Sequence, residues 1–185
     1  ASRSPRRRSL LEAAGIHFEL HDYPEIDETP RADLTEPLDI VRELAERKAR
    51  AALLRTPHVV VLAADTLVFL EQRILGKPDD EAEAEVMLQA LSGRTHEVAT
   101  GVAIAGPDDE AGARLLSGAE RTLVRFRELS QTEIRAYVAS GESLDKAGAY
   151  AIQAGASEFV ASIDGAEDTV IGLPVHLVQR LLADW

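Results

Sequence analysis

Val59-Val60-Val61-Leu62-Ala63-Ala64-Asp65-Thr66 decides the fold, because an unbroken apolar run from Val59 to Ala64 between Pro57 and Asp65 reads as a buried strand. Helical patterns flank it. Upstream, Thr35, Glu36 and Pro37 start a helix whose apolar positions Leu38, Val41, Leu44, Ala45, Ala49, Ala52 and Leu53 follow helical spacing, leaving Arg42, Glu46 and Arg50 outward. Downstream, Leu67 to Leu70 continues into a hairpin. Asp80 to Leu91 reads as a helix ended by Ser92-Gly93, and a strand follows from about Glu97 to Ala105. Pro107 to Ala113 is an exposed loop, Leu123 to Phe126 alternates as a strand, Ser130 caps a helix running to Gly141, and Pro174 opens the closing helix. Nearer the start, Ile16 to Leu20 reads as a short strand, and Tyr23 to Asp33 as a polar loop carrying Asp27 and Glu28. The alternation predicts an α/β class with a mixed twisted sheet flanked by helices.

Composition narrows the function. With 185 residues and 45% hydrophobic content, the chain is long enough to bury a real core and reads as one domain over residues 1–185. Its 20 Lys and Arg against 32 Asp and Glu give a net charge of −12, which argues against general binding to nucleic-acid polymers or anionic membranes. No apolar run approaches the roughly 18 residues of a membrane span, and no signal peptide is evident. The absence of cysteine excludes disulfides, thiolate metal sites and a cysteine nucleophile. A cytoplasmic address fits.

Against that acidic background, Ser4-Pro5-Arg6-Arg7 forms a local basic cluster. Ser4 can cap a helix that Pro5 opens and Gly15 closes. A helix amino terminus gathers unpaired N–H groups and partial positive charge, and Arg6, Arg7 and Arg8 add cations where cations are normally disfavoured. Such a place suits a phosphate. A solvated basic tail or the remnant of an Arg-rich targeting peptide would show the same letters.

Other charged residues fall at strand ends or in glycine loops. Asp65, expected at the end of the strand, could hold a cation or take a proton from water; it could also simply begin a turn. Lys48 sits mid-helix four residues after Leu44, beside the apolar stripe, which hints that it points inward. Lys77 lies in Leu75-Gly76-Lys77-Pro78, where glycine permits close backbone approach and proline fixes the turn. By itself a loop lysine is usually solvated. Asp145 to Gln153 is rich in small residues that would let a backbone pass close to a ligand, although a tight turn followed by an edge strand explains it equally. His96 has no second histidine at metal-ligand spacing and reads as structural.

Ala1-Ser2-Arg3-Ser4-Pro5-Arg6-Arg7, Asp27-Glu28, Ala45-Glu46-Arg47-Lys48-Ala49, Ala64-Asp65-Thr66-Leu67-Val68, Gly76-Lys77-Pro78, Leu91-Ser92-Gly93-Arg94-Thr95-His96, Asp145-Lys146-Ala147-Gly148-Ala149-Tyr150 and Gly172-Leu173-Pro174 occur in this order. The series resembles the Maf family of nucleoside triphosphate pyrophosphatases over essentially the whole chain. The resemblance implies a Maf or inosine triphosphate pyrophosphatase-like fold, a divalent cation such as Mg²⁺ or Mn²⁺, and a homodimer. It also implies cleavage between the α and β phosphates, releasing a monophosphate and pyrophosphate, as house-cleaning of nucleotide pools.

Carried over by position, the resemblance gives Asp65 the role of proton acceptor and places Glu28 with Asp65 at the metal. Ser4, Arg6 and Arg7 would hold the polyphosphate, and Lys48 and Lys77 would neutralise it. Arg6, Thr66 and Gln153 are of the dTTP/UTP type rather than the 7-methyl-GTP type, and the Gln153 amide can both donate to and accept from a pyrimidine imide edge. Alternatives are 7-methyl-GTP or inosine triphosphate hydrolysis, or a non-catalytic nucleotide sensor acting on cell division. The chain departs from the family pattern in two places. Family members normally begin with a short apolar strand before the Ala-Ser-x-Ser-Pro-Arg-Arg motif; either the chain was cut or the sequence is incomplete here, and only a strand truly missing would leave a sheet position empty, while Asp164, Glu167 and Asp168 make the stretch before Gly172 unusually acidic.

Overall fold

Ser4 caps helix α1 (Pro5–Ala13) as its sequence dictates: its side chain accepts from the Arg7 amide at 3.5 Å, and Pro5 opens the first turn. Gly15 then turns the chain at φ +68°. The computed structural model describes residues 4–21, 25–107 and 113–185, so Ala1 to Arg3, Tyr23 and most of the expected 107–113 loop lie outside the described residues. The other helices are α2 (Pro37–Arg55), α3 (Glu81–Leu91), α4 (Gln131–Ala139), α5 (Glu167–Ile171) and α6 (Val175–Ala183). The strands β1 (Val61–Leu70), β2 (Arg73–Leu75), β3 (Thr95–Gly106), β4 (Arg114–Phe126) and β5 (Val160–Asp164) form one sheet in the order β2-β1-β3-β4-β5. Its two outer pairings, β1 with β2 and β4 with β5, are antiparallel. The expected α/β class with helices flanking a sheet is what the chain adopts. Among the described residues, no helix is long and apolar enough to cross a membrane.

The chain divides into two compact units: residues 1–66, 100–120 and 172–185 form the first, and residues 67–99 and 121–171 the second. In the first unit, α2 buries Ile40, Val41, Leu44, Ala45, Lys48, Ala49 and Ala52 along one stripe. Ala45 and Ala49 meet Ala63, Ala103 and Ala105, so the helix lies close on the sheet. Gly101 makes this approach possible, since a Cβ there would stand only 2.0 Å from the Val41 carbonyl oxygen. A second cluster packs Leu11 of α1 and Leu177, Val178 and Leu181 of α6 on Ala64, Val102 and Ile104.

In the second unit, α3 and α4 cover Val68, Val98, Val124 and Phe126 with Leu88, Leu91, Ile134 and Val138. Asp80 caps α3, and Ser130 and Glu133 close a reciprocal capping box on α4. His96 is buried, and its Nε2 lies 2.8 Å from the Tyr150 hydroxyl. Edge-on contacts to Phe126 and Tyr150, with centroids at 4.9 and 5.4 Å, complete its surroundings and bear out its structural reading.

Several expected boundaries move. β1 starts at Val61, because Val59 and Val60 are half exposed, and it runs through Asp65 to Leu70 instead of ending at the carboxylate. Ile16 and Phe18 pack on the first unit's core with strand-like alternation, yet residues 16–21 join no ladder among the described residues. β4 begins at Arg114, well before Leu123, since its half-buried first half sets Leu115 beside Leu116 and carries no apolar alternation. The acidic stretch also finds a place: Glu167 and Asp168 stand in the first turn of α5, where the helix end favours carboxylates.

Burial lowers the His96 pKa from 6.5 to about 4, so this imidazole stays neutral in the fold where an unfolded chain would protonate it. Stability attributable to His96 therefore declines as pH falls from about 6.5 to about 4, by roughly 3 kcal/mol when complete. Urea unfolding of the native chain and His96→Gln at pH 7 and pH 4 should show the variant losing less stability by about that amount. Parallel losses would exclude the mechanism.

Candidate active site

Helical periodicity brings Lys48 to the inner face of α2, and the close seat of that helix brings its ammonium to β1. There Lys48 Nζ donates to Asp65 Oδ1, both side chains being less than a tenth exposed. Glu28, from the 25–33 loop, reaches the same ammonium with Oε1 at 2.9 Å. One cation thus gathers two carboxylates. Burial alone would push the Lys48 pKa down, but attraction to Asp65 and hydrogen bonds to Asp65 and Glu28 outweigh it and hold the pKa above its ordinary value. Asp65 keeps its second carboxylate oxygen without a hydrogen-bond partner among the described residues.

Arg7 bonds the two β1 residues that flank Asp65 in sequence. Its Nε donates to the Gly172 carbonyl at 2.7 Å, Nη1 to the Ala64 carbonyl at 2.8 Å, and Nη2 to Thr66 Oγ1 at 3.0 Å. The guanidinium fork ties α1 to β1 at the residues before and after Asp65 and to the turn before α6. Thr66 Oγ1 also meets Thr100 Oγ1 at 2.9 Å. Gly172, at φ +119°, lets the backbone come this near: a Cβ would stand 3.1 Å from Thr66 Oγ1. Ser4 is occupied in part as the α1 cap, and Arg6 stands half-buried on the first turn of the same helix.

The first unit accordingly brings together Glu28, Lys48 and Asp65, and separately Arg7 and Thr66 around the Ala64 carbonyl. Lys77 and Gln153 belong to the second unit, and both are exposed. Their segments are joined within that unit, since the Gly148 amide donates to the Gly76 carbonyl at 2.9 Å. Gly148 and Ala149 both adopt left-handed φ values, +68° and +61°, and the Ala151 amide donates to the Tyr137 hydroxyl at 3.1 Å. A non-glycine residue held at positive φ is costly, and such strain gathers at functional sites. Thr100 and the three protein acceptors of Arg7 were not legible in the sequence, since their bonds depend on tertiary approach.

A model of the Maf family, described as Maf-like protein, matches residues 1–185, and the chain belongs to that family. Among its relatives, the dTTP/UTP pyrophosphatase of Symbiobacterium thermophilum is 48% identical over 186 residues, spanning 100% of this chain and 92% of the relative. The dTTP/UTP pyrophosphatases of Bacillus thuringiensis subsp. konkukian and Bacillus anthracis are 51% and 50% identical, each alignment spanning 98% of this chain and 92% of the relative.

The charge arrangement makes an asymmetric prediction. Lys48→Met strands the buried Asp65 carboxylate and should cost about 3–5 kcal/mol. Asp65→Asn leaves Lys48 with Glu28 and should cost less, about 1–3 kcal/mol. In denaturant titrations, the double variant should be more stable than the sum of the single losses implies. Equal single costs that simply add would refute the coupling.

Proposed function

We propose that this chain hydrolyses dTTP and UTP between the α and β phosphates, releasing the monophosphate and pyrophosphate. The observation that carries this reading is Asp65: a buried carboxylate with one oxygen fixed by Lys48 and the other without a hydrogen-bond partner among the described residues, in a chain about half identical to proteins named for this activity. That second oxygen orients a water and takes its proton as the water oxygen attacks the α phosphorus. The bond from that phosphorus to the bridging oxygen breaks, and pyrophosphate leaves with the electron pair.

Phosphoryl chemistry of this kind needs fixed charge and geometry more than covalent help. Lys48 supplies a cation whose raised pKa keeps it protonated through the neutral range. Ser4, Arg6 and Arg7 at the amino end of α1 provide the polyphosphate cradle, with Arg7 also anchoring the cradle to β1 through its fork. Lys77 offers a further cation to the phosphates, Gln153 offers its amide to the pyrimidine imide, and Thr66 contributes to substrate choice.

Glu28 and Asp65 are hard oxygen donors that converge on one cationic atom, an arrangement that suits Mg²⁺ or Mn²⁺. Among the described residues no group of three or more acidic or histidine side chains gathers, so phosphate oxygens and water would complete such an ion's shell. A bound divalent ion would neutralise phosphate charge. We place this activity with the nucleotide pools of the cytoplasm and expect the homodimer that the family resemblance implies, which sedimentation tests.

A substrate panel with a pyrophosphate assay tests the reading. dTTP and UTP should exceed 7-methyl-GTP, inosine triphosphate and ATP in kcat/KM, and Asp65→Asn should lower turnover by roughly 10² to 10⁴ while retaining the fold. Gln153→Leu should erode the pyrimidine preference by about 1–3 kcal/mol. A best substrate outside the pyrimidines would overturn the specificity, and full turnover in Asp65→Asn would remove Asp65 from the chemistry.

A further inference from the structure

Glu28 lies in a loop without helix or strand, so its place on Lys48 needs an anchor. Arg47 supplies one. Its Nη1 donates to the Asp27 carbonyl and its Nη2 to the Thr29 carbonyl, each at 2.7 Å, gripping the backbone on either side of Glu28. Its Nε is directed by Glu43, one turn earlier on α2, at 2.9 Å. The Thr29 amide closes the same turn by donating to Asp27 Oδ1 at 2.8 Å. Arg47 and Lys48 are consecutive on α2: the first holds the loop's backbone, and the second receives the carboxylate which that backbone carries.

We propose that Arg47 is a positioning residue that acts through Glu28, fixing its carboxylate on Lys48 beside Asp65. This rests on the functional reading of Glu28 given above. The role requires a guanidinium, since a planar fork serves two carbonyls and a carboxylate at once, whereas an ammonium is a point charge that cannot bridge the same acceptors. A contribution through charge alone would survive replacement by lysine. The Glu28 side chain is half exposed, so without the clamp its loop is free to carry it away from the ammonium.

Kinetics and hydrogen exchange on Arg47→Lys, Glu28→Gln and the double variant test the assignment. Arg47→Lys should lower kcat about 10- to 100-fold, the scale of a misplaced reacting group, with little change in KM. The double variant should be no slower than the slower single variant, and amides of residues 27–29 should exchange faster in Arg47→Lys while those of the α2 core keep their protection. Native kcat in Arg47→Lys, losses that multiply in the double variant, or native exchange at residues 27–29 would each overturn the clamp. Native turnover in Glu28→Gln would overturn the reading of Glu28 itself and the clamp with it, whereas an impaired Glu28→Gln beside an unimpaired Arg47→Lys condemns the clamp alone.

Discussion

The ion pair between Lys48 and Asp65 constrains the first unit more than any other contact. Desolvating an ammonium and a carboxylate is expensive, and an apolar pair of similar volume would often hold a helix to a strand at least as well. A pair like this is therefore weak as a device for stability and strong as a device for placing charge. It demands that α2 approach β1 closely enough for the ammonium to reach the strand. The alanines of both elements and the bare backbone of Gly101 against Val41 meet that demand. The small residues at this contact and the charge they admit are one solution.

Around that pair, arginines organise backbone as much as they supply positive charge. Arg7 donates to two carbonyls and a hydroxyl, and Arg47 to two carbonyls and a carboxylate. Both serve segments whose own hydrogen bonding is irregular, the turn at Gly172 and the loop at Glu28. Five donors in a fixed plane let one side chain do what a ladder does elsewhere, closing several acceptors together. Two cations of this acidic protein thus hold the chain itself.

Local rules made the caps of α1, α3 and α4 legible, as well as the inward stripe of α2. Lys48 could be placed because its helical phase is a property of neighbouring residues. Asp65 was harder. Strand patterns treat a carboxylate as a boundary, and the pairing with Lys48 that lets β1 run through it to Leu70 joins two elements whose approach the sequence does not show. β5 eluded the sequence because its residues are mostly exposed and show no alternating burial, and the anchoring bonds of Arg7 were hidden because its protein acceptors lie 57 to 165 positions away. The family motifs named the remaining candidates, but gave no hydrogen-bond geometry.

The backbone bond from Gly148 to the Gly76 carbonyl joins two stretches of chain that are far apart in sequence. The bond uses no side chain, yet it depends on Gly148, whose φ of +68° and whose Cβ position, 3.0 Å from Val68, leave little room for a larger residue. Remodelling the stretch that ends in Gln153 consequently displaces the support of Lys77 as well. Within this unit the two loops form a single mechanical part, and an insertion accepted in one must be accommodated by the other.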